Sequence, residues 1–146
     1  MNTSFEGKCS KFGGREDCIL PDDLPEVRIL KGMLITEGLA YFEHDEADLR
    51  PDLFLPRTQE PSEGTASRLR TESFYIALPI TKGSAPRFQL AGSTWIVMNP
   101  KTKQSVMCSL VDWGPNPNTG RVCDMSPTVL RALRLSTDDI VNVRKA

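Results

Sequence analysis

Residues 112–120, DWGPNPNTG, restrict the fold of this chain more than any other stretch of its sequence. Proline lacks the backbone donor that a central strand needs, while glycine and asparagine favour turns. We therefore predict a loop here, neither helix nor central strand. The runs on either side, QSVMCSLVD and RVCDM, are rich in β-forming residues and predict two strands that this loop connects.

Short apolar runs separated by turn residues continue on both sides of this unit. SFYIALPI is stopped by Pro79, and beyond the turn material TKGSAPR come FQLAG and STWIVMN, rich in β-formers. Trp95, inside an apolar strand, is expected in the core. NPKTK has the composition of a hairpin loop, and STDDIVNVRK predicts a turn and a last strand.

One short helix is predicted in SPTVLRALRL. Ser126 can cap its start, and Pro127 suits the first helical position because its missing N–H is harmless there. Val129, Leu130 and Leu133 fall on one face of that helix. Several strands around one short helix indicate a small closed β structure, which removes exposed edges.

The first half of the chain has a different texture. FEGKCSKFGG, at 5–14, predicts a short strand that ends in a Gly-Gly turn. Residues 15–72 are rich in Pro, Asp, Glu and Arg and predict an irregular insertion. Within it, 57–72 predicts a surface loop because this stretch has little apolar area to bury. No internal repeat is visible in the sequence.

Length and charge bound the class of protein. At 146 residues the chain fits a single domain, 1–146. It has 18 Lys and Arg against 19 Asp and Glu, which argues against a nucleic-acid partner and a polybasic membrane anchor. No apolar run approaches the roughly 20 residues that span a bilayer. The N-terminus has no apolar stretch of the signal-peptide kind, so either a signal was removed or none is made.

The four cysteines are widely spaced: Cys9, Cys18, Cys108 and Cys123. With one histidine in the chain, a zinc site would need distant ligands, so we expect neither a metal nor a cofactor. Two disulfides have three possible connectivities. The connectivity that closes short loops pairs Cys9 with Cys18 and Cys108 with Cys123. Buried free thiols in a reducing compartment are the alternative, and the sequence leaves both open.

Several of these segments together resemble a known family, the rare lipoprotein A-like double-psi β-barrels. The resemblance is carried by VDWGP at 111–115, VCDMS at 122–126 and the short helix at 128–135. Leu78-Pro79 is similar to the family's turn before its long hairpin, and GKCSKFGG at 7–14 is similar to its opening strand.

The resemblance covers residues 5–14 and 74–146, and the segment 15–72 has no counterpart in it. It implies a mainly-β fold: a six-stranded double-psi β-barrel with one short helix and a long irregular insertion. Expansins and barrel-type endoglucanases share this barrel, so fold is implied more firmly than activity.

Peptidoglycan-cleaving members of the family carry an acid/base carboxylate where this chain has Asp112. The resemblance implies that Asp124 is the second catalytic carboxylate and lies near Asp112 at one mouth of the barrel. A carboxyl group partly buried beside Trp113 would hold a proton for a leaving oxygen, as glycosidic cleavage requires. Alternatively, both aspartates are structural and accept backbone hydrogen bonds in turns.

Four further residues complete the expected substrate-binding site. Trp113 lies in a polar loop and offers an aromatic face to a sugar ring. Tyr75 stands near the position where enzymatic members have a histidine, and a tyrosine is a poor base at neutral pH. Gly13 and Gly14 allow close backbone packing against the groove. The single histidine, His44, lies in the insertion.

These features predict a protein that binds or cleaves cell-wall glycan, with polysaccharide or peptidoglycan strands as its partner, like lytic transglycosylases or glycoside hydrolases. The alternative is a non-catalytic double-psi module of a virion, a secretion device or an inhibitor. A histidine delivered to the groove favours the first function, and a groove blocked by 15–72 favours the second. The resemblance favours an extracytoplasmic or virion-associated protein and leaves the oligomeric state open.

Overall fold

A computed structural model describes residues 4–11, 49–54, 69–70, 72–80, 87–115 and 117–146 of the chain. The strands within these residues are β1 (Ser4–Lys11), β2 (Tyr75–Leu78), β3 (Thr94–Met98), β4 (Ser105–Trp113), β5 (Arg121–Met125) and β6 (Ile140–Lys145). The helices are α1 (Arg87–Leu90) and α2 (Pro127–Leu133), and Pro117–Thr119 forms a 3₁₀ turn in the loop between β4 and β5.

The strands form a closed barrel with the ring order β1-β5-β2-β4-β3-β6. β1 pairs in parallel with β5, and β2 pairs in parallel with β4. The other neighbouring pairs in the ring are antiparallel. Closure gives each of these strands two neighbours, so none of them presents a free edge. The predicted mainly-β fold, a six-stranded barrel with a short helix, is confirmed.

The two halves of the barrel have the same plan. Each consists of two strands, a short helix and a third strand: β1-β2-α1-β3, then β4-β5-α2-β6. Exchanging β1 with β4, β2 with β5 and β3 with β6 leaves the ring order unchanged. The same exchange places each parallel pair on the position of the other. The topology therefore contains a two-fold repeat that the sequence does not reveal. α1 itself occupies part of the stretch FQLAG, where composition favours a strand.

The predicted helix is present as α2. Ser126 precedes it, is fully buried, and accepts a hydrogen bond at its Oγ from the backbone N–H of Val129 at 3.3 Å. Pro127 lies at the start of the helix, where its missing N–H is not needed. The buried face consists of the three residues predicted for it, Val129, Leu130 and Leu133.

Apolar side chains at alternate strand positions fill the interior, as the two-residue period of a strand requires. The largest is Trp95, which is fully buried as predicted. Its indole Nε1 donates a hydrogen bond to Ser93 Oγ at 2.9 Å, so its polar atom is satisfied. The strand residues in this core are Cys9, Ile76, Leu78, Trp95, Val97, Cys108, Leu110, Cys123, Met125, Val141 and Val143.

A smaller apolar cluster lies on the outer face of the barrel, and we call it the outer cluster. Its members are Leu53, Phe54, Leu69, Tyr75 and Val111. Tyr75 and Val111 come from β2 and β4, where they alternate with residues of the interior core. The other three come from the segment predicted as an irregular insertion, so part of that insertion packs on the barrel.

Two short pieces of the insertion hold the outer cluster in place. Phe54 and Leu69 form an antiparallel bridge, and the backbone N–H of Arg70 donates to the Leu53 carbonyl at 2.8 Å. Leu69 is only 5% exposed and departs from the surface loop predicted for 57–72, whereas Glu72 at its end is exposed. Most of that predicted loop lies outside the described residues.

One buried amide ties the β3–β4 hairpin to the end of α2. Asn99 is 5% exposed; its Nδ2 donates to the Leu133 carbonyl at 2.8 Å, and its Oδ1 accepts from the Lys101 N–H at 3.0 Å. The helix-end carbonyl would otherwise be buried without a donor, which costs free energy.

Replacing Asn99 with alanine is therefore expected to lower the free energy of unfolding by about 1–3 kcal/mol. Asn99→Asp keeps the acceptor for Lys101 but loses the donor to Leu133, and it sets a negative charge at a helix C-terminus. We expect it to be destabilised as well, as measured by urea unfolding. Wild-type stability in Asn99→Asp would show that the bond to the helix contributes nothing.

Candidate functional site

Four residues lie in one row across four neighbouring strands of the barrel. Asp112 of β4 pairs with Ala77 of β2. Ala77 also pairs with Asp124 of β5, and Asp124 pairs with Ser10 of β1. Residues paired in register on adjacent strands point to the same face of a sheet. We call these four residues the carboxylate row.

Each member of the carboxylate row is the penultimate residue of its strand. β2 and β4 run opposite to β5 and β1, so the row marks where the C-terminal ends of the two parallel pairs overlap. Two strand spacings separate Asp112 from Asp124, which corresponds to about 10 Å between their Cα atoms. The structure thus brings the two predicted aspartates together on the wall of the barrel. The resemblance implies that they lie at one mouth of the barrel.

The two carboxylates have different surroundings. Asp112 is 7% exposed, whereas Asp124 is half-buried. Ser10 is also buried, and its Oγ donates a hydrogen bond to Asp124 Oδ1. A hydroxyl donor fixes the orientation of a carboxylate and stabilises its charged form. Asp124 is therefore held by the first strand of the chain, which sequence reasoning had not connected to the site.

The loop after β4 folds back toward the same carboxylate. The Gly114 N–H donates to the Leu78 carbonyl at 3.1 Å, and the Gly114–Pro115 peptide bond is cis. A Cβ atom on Gly114 would stand 3.5 Å from Asp124 Oδ2. With φ at 146°, this position has a backbone conformation that favours glycine. The loop therefore passes close to the carboxylate row.

This arrangement can accept hydrogen bonds from hydroxyl groups and can hold or transfer protons. One nearly buried carboxyl group and one oriented carboxylate are the groups that acid/base cleavage of a glycosidic bond uses. The described part of the chain contains no histidine, because His44 lies outside it. Among the described residues of the row, Asp112 and Asp124 carry the carboxyl groups.

The other predicted site residues are placed less favourably or not at all. Tyr75 is fully buried in the outer cluster, so a ligand could reach its ring only if that cluster opened. The backbone of Trp113 ends β4 and pairs with Leu78, but its side chain lies outside the described part of the structure. Gly13 and Gly14 also fall outside the described residues.

Sequence reasoning did not predict that Ser10 and Gly114 lie next to Asp124. The signal for Ser10 was present in the first strand, where exposed Lys8 and Lys11 flank a buried Cys9 and Ser10. A small polar residue in such a strand is a candidate hydrogen-bond donor. What the sequence could not show is the parallel pairing of β1 with β5 that brings the two residues together.

In this structure, three of the four cysteines are free thiols and form no disulfide with one another. Cys9, Cys108 and Cys123 are buried free thiols of the interior core, and Cys18 lies outside the described residues. Burial raises the pKa of Cys9 to about 11 and that of Cys108 to about 12. These thiols are therefore neutral and poorly nucleophilic at physiological pH.

One charged pair near the row lies at the surface. Arg121, also on β5, donates to Asp138 at 2.9 Å, and this bond lowers the pKa of Asp138. Both side chains are substantially exposed, so the pair contributes little to stability. Among the described residues, no group of three or more His, Cys, Asp or Glu side chains could hold a metal ion. No described helix is both long and apolar enough to cross a membrane.

Comparison with known proteins finds structural likeness but no matching family. No family model matches the chain, and no curated protein matches it. Among solved structures, it is similar to the computationally designed msDPBB_sym2 protein, a double-psi β-barrel, at 15% identity and a TM-score of 0.32. That match covers 51% of this chain and all of the designed one. A likeness at this level identifies neither a family nor an activity.

Proposed function

We propose that this protein is directed at glycan strands of the cell wall, with the carboxylate row as its contact surface and Asp112 as a general acid/base. The observation that carries the proposal is the row itself, in which a nearly buried Asp112 shares one face with a hydroxyl-bonded Asp124. Sugar hydroxyls donate hydrogen bonds that carboxylates can accept. The similarity to the peptidoglycan-cleaving barrels named above also supports this ligand class.

In the catalytic form of the proposal, Asp112 protonates the leaving glycosidic oxygen. Burial favours the neutral, proton-carrying form of a carboxyl group, which is the form that an acid catalyst needs. Asp124, oriented by Ser10, would stabilise positive charge on the sugar or activate a water molecule. The substrate class is therefore a polysaccharide chain, bound along the wall of the barrel.

The test compares wild type with Asp112→Asn and Asp124→Asn on purified peptidoglycan of several wall types, with released soluble glycan as the readout. Asp112→Asn keeps the shape of the side chain but cannot transfer a proton, so we expect release to fall by about 10²–10⁴-fold. Asp138→Asn is the matched control, since Asp138 is an exposed aspartate outside the row. Unchanged release in Asp112→Asn would contradict its catalytic role.

A non-catalytic module on the same barrel is the second candidate, and one observation favours it. Val111 precedes Asp112 and is covered by Leu53, Phe54 and Leu69, so part of the insertion lies against the face next to the row. If the row is structural, the wild type releases no glycan. Asp112→Asn would then lower stability by about 1–3 kcal/mol, because a buried hydrogen bond is disrupted.

Sedimentation with the wall separates the remaining outcomes. Wild type that sediments with peptidoglycan without releasing glycan is a binding protein, and Asp112→Asn should then weaken sedimentation. Wild type that neither releases glycan nor sediments with any wall type would make the glycan proposal wrong. Melting curves of each variant show whether a loss of binding reflects a loss of fold.

A further inference from the structure

Two of the buried thiols face each other across neighbouring strands. Cys9 of β1 and Cys123 of β5 are partners in the parallel ladder, in register with each other. Both are fully buried and belong to the interior core, so both side chains point into the barrel. They come from opposite ends of the chain and are brought together only when the ring closes.

The spacing of such partners suits a disulfide. Adjacent strands lie about 4.8 Å apart, and disulfides join Cα atoms that are about 4.4–6.8 Å apart. Cys108 is less favourably placed, because β4 and β5 are not neighbours: β2 lies between them in the ring. Cys108 nevertheless shares the interior core with Cys123 and contributes to raising its pKa, so it is the competing partner that the test must distinguish from Cys9.

β1 is the strand whose docking such a bond would control. It lies between β5 and β6 in the ring, in parallel with one and antiparallel with the other. Around Cys9 the backbone is also bonded to the turn before β6, through Cys9 N to the Asp139 carbonyl at 3.0 Å and Asp138 N to the Cys9 carbonyl at 2.7 Å. The barrel is therefore complete only when β1 has closed it.

We propose that Cys9 and Cys123 form a redox-dependent disulfide that fixes β1 in the closed barrel. A low-molecular-weight disulfide such as oxidised glutathione is the oxidant. The Cys123 or Cys9 thiolate attacks it and releases one reduced glutathione, and the second thiolate then displaces the other glutathione from the mixed disulfide. Two thiols are oxidised, one glutathione disulfide is reduced, and both protons pass to the solvent or the glutathione thiolates.

The oxidation takes place while β1 is undocked, during folding or transient opening. In the closed barrel both thiols are shielded from a charged tripeptide by the surrounding core. Once formed, the bond joins strands at opposite ends of the chain and restricts the unfolded state strongly, because the closed loop is long. The redox state at the time of closure thus determines whether β1 can leave again. This device is independent of the proposed glycan function.

The test uses the full chain, unfolded and then refolded in buffers containing reduced and oxidised glutathione at several ratios. Non-reducing digestion and mass spectrometry identify the bridge. We expect a peptide pair joined through Cys9 and Cys123 and a mass lower than that of the reduced chain by two hydrogen atoms. A bridge between Cys9 and Cys18 or between Cys108 and Cys123, or no bridge at all, would overturn the proposal.

Matched variants then assign the stabilisation. The oxidised wild type is expected to melt roughly 5 °C or more above the reduced protein. Cys108→Ala should keep this difference between its oxidised and reduced forms, whereas Cys9→Ala should lose it. Each variant is compared with itself in the two redox states, so a general loss of stability from the substitution does not affect the result. An equal gain in Cys9→Ala and Cys108→Ala would count against the pairing.

Discussion

The free energy of unfolding of this barrel is expected to fall steeply above its neutral range, by about 1.4 kcal/mol per pH unit for each buried thiol. Burial raises the pKa of Cys9 from 9.0 to about 11 and that of Cys108 from 9.0 to about 12. Burial also raises the pKa of Cys123 well above its ordinary value, with Cys108 nearby reinforcing the effect. Three such thiols together give about 4 kcal/mol per pH unit.

The sign of this pH dependence follows from whether the folded or the unfolded chain keeps the thiol protons. Below the ordinary thiol pKa of 9.0, folded and unfolded chains both keep these protons, so the thiols add no pH dependence. Above it, the unfolded chain releases them while the folded barrel retains them up to a pKa of about 11 for Cys9. The folded state then binds more protons than the unfolded state, and its stability falls as the pH rises.

Urea unfolding in a reducing buffer, in steps from about pH 8 to about pH 10.5, measures this slope. Lysine and tyrosine residues also titrate in this range, so the control is a variant that lacks one thiol. Cys108→Ala should have a slope smaller by about a third, although its stability at neutral pH is lower. Equal slopes in wild type and Cys108→Ala would show that the thiols are not the source.

Phe54→Ala is expected to lower the free energy of unfolding by about 3–5 kcal/mol, the usual cost of removing a buried phenylalanine ring. Phe54 is 2% exposed and packs in the outer cluster against residues of β2 and β4. The matched control is Leu49→Ala, a few residues earlier in the same segment, because Leu49 is 80% exposed. A change at such a surface position usually stays within about 0.5 kcal/mol.

Hydrogen exchange distinguishes loss of the outer cluster from loss of the whole fold. The Arg70 N–H, which donates to the Leu53 carbonyl, reports on the insertion, and amides of β4 report on the barrel. If Phe54→Ala exposes only the Arg70 amide, the cluster opens as a separate unit and the expected loss of global stability is smaller. Full protection at Arg70 in Phe54→Ala would contradict the packing described for this segment.

Local signals predicted the second half of the chain well. Ser126 and Pro127 specify the start of α2 by themselves, and the runs on either side of DWGPNPNTG form β4 and β5. The same locality explains the misses. Leu53 and Phe54 are too short an apolar run to indicate a strand or helix, and their burial depends on a partner, Leu69, many residues away.

The sequence was enough to predict the two aspartates of the candidate site. It was not enough to predict the strand pairing that places them in one row. Asp112 and Asp124 stand beside recognisable turn residues, and the similarity to a known barrel family singled them out. Ser10 and Ala77 complete the row only through pairing between distant strands, and two of those pairings are parallel. Parallel neighbours need long crossover connections, so no local pattern in the sequence specifies them.

The two-fold plan of the barrel gives the carboxylate row a polarity. Exchanging the halves maps the row onto itself, so that Ser10 and Asp112 occupy equivalent positions, as do Asp124 and Ala77. The backbone of the row is therefore equivalent when followed from either end. The side-chain groups are not equivalent, because from β1 to β4 they are a hydroxyl, a carboxylate, a methyl and a carboxylate. A linear ligand that matches this order in one direction mismatches it when reversed. If the row binds a linear ligand as proposed, the symmetric scaffold would thereby distinguish one direction of that ligand from the other.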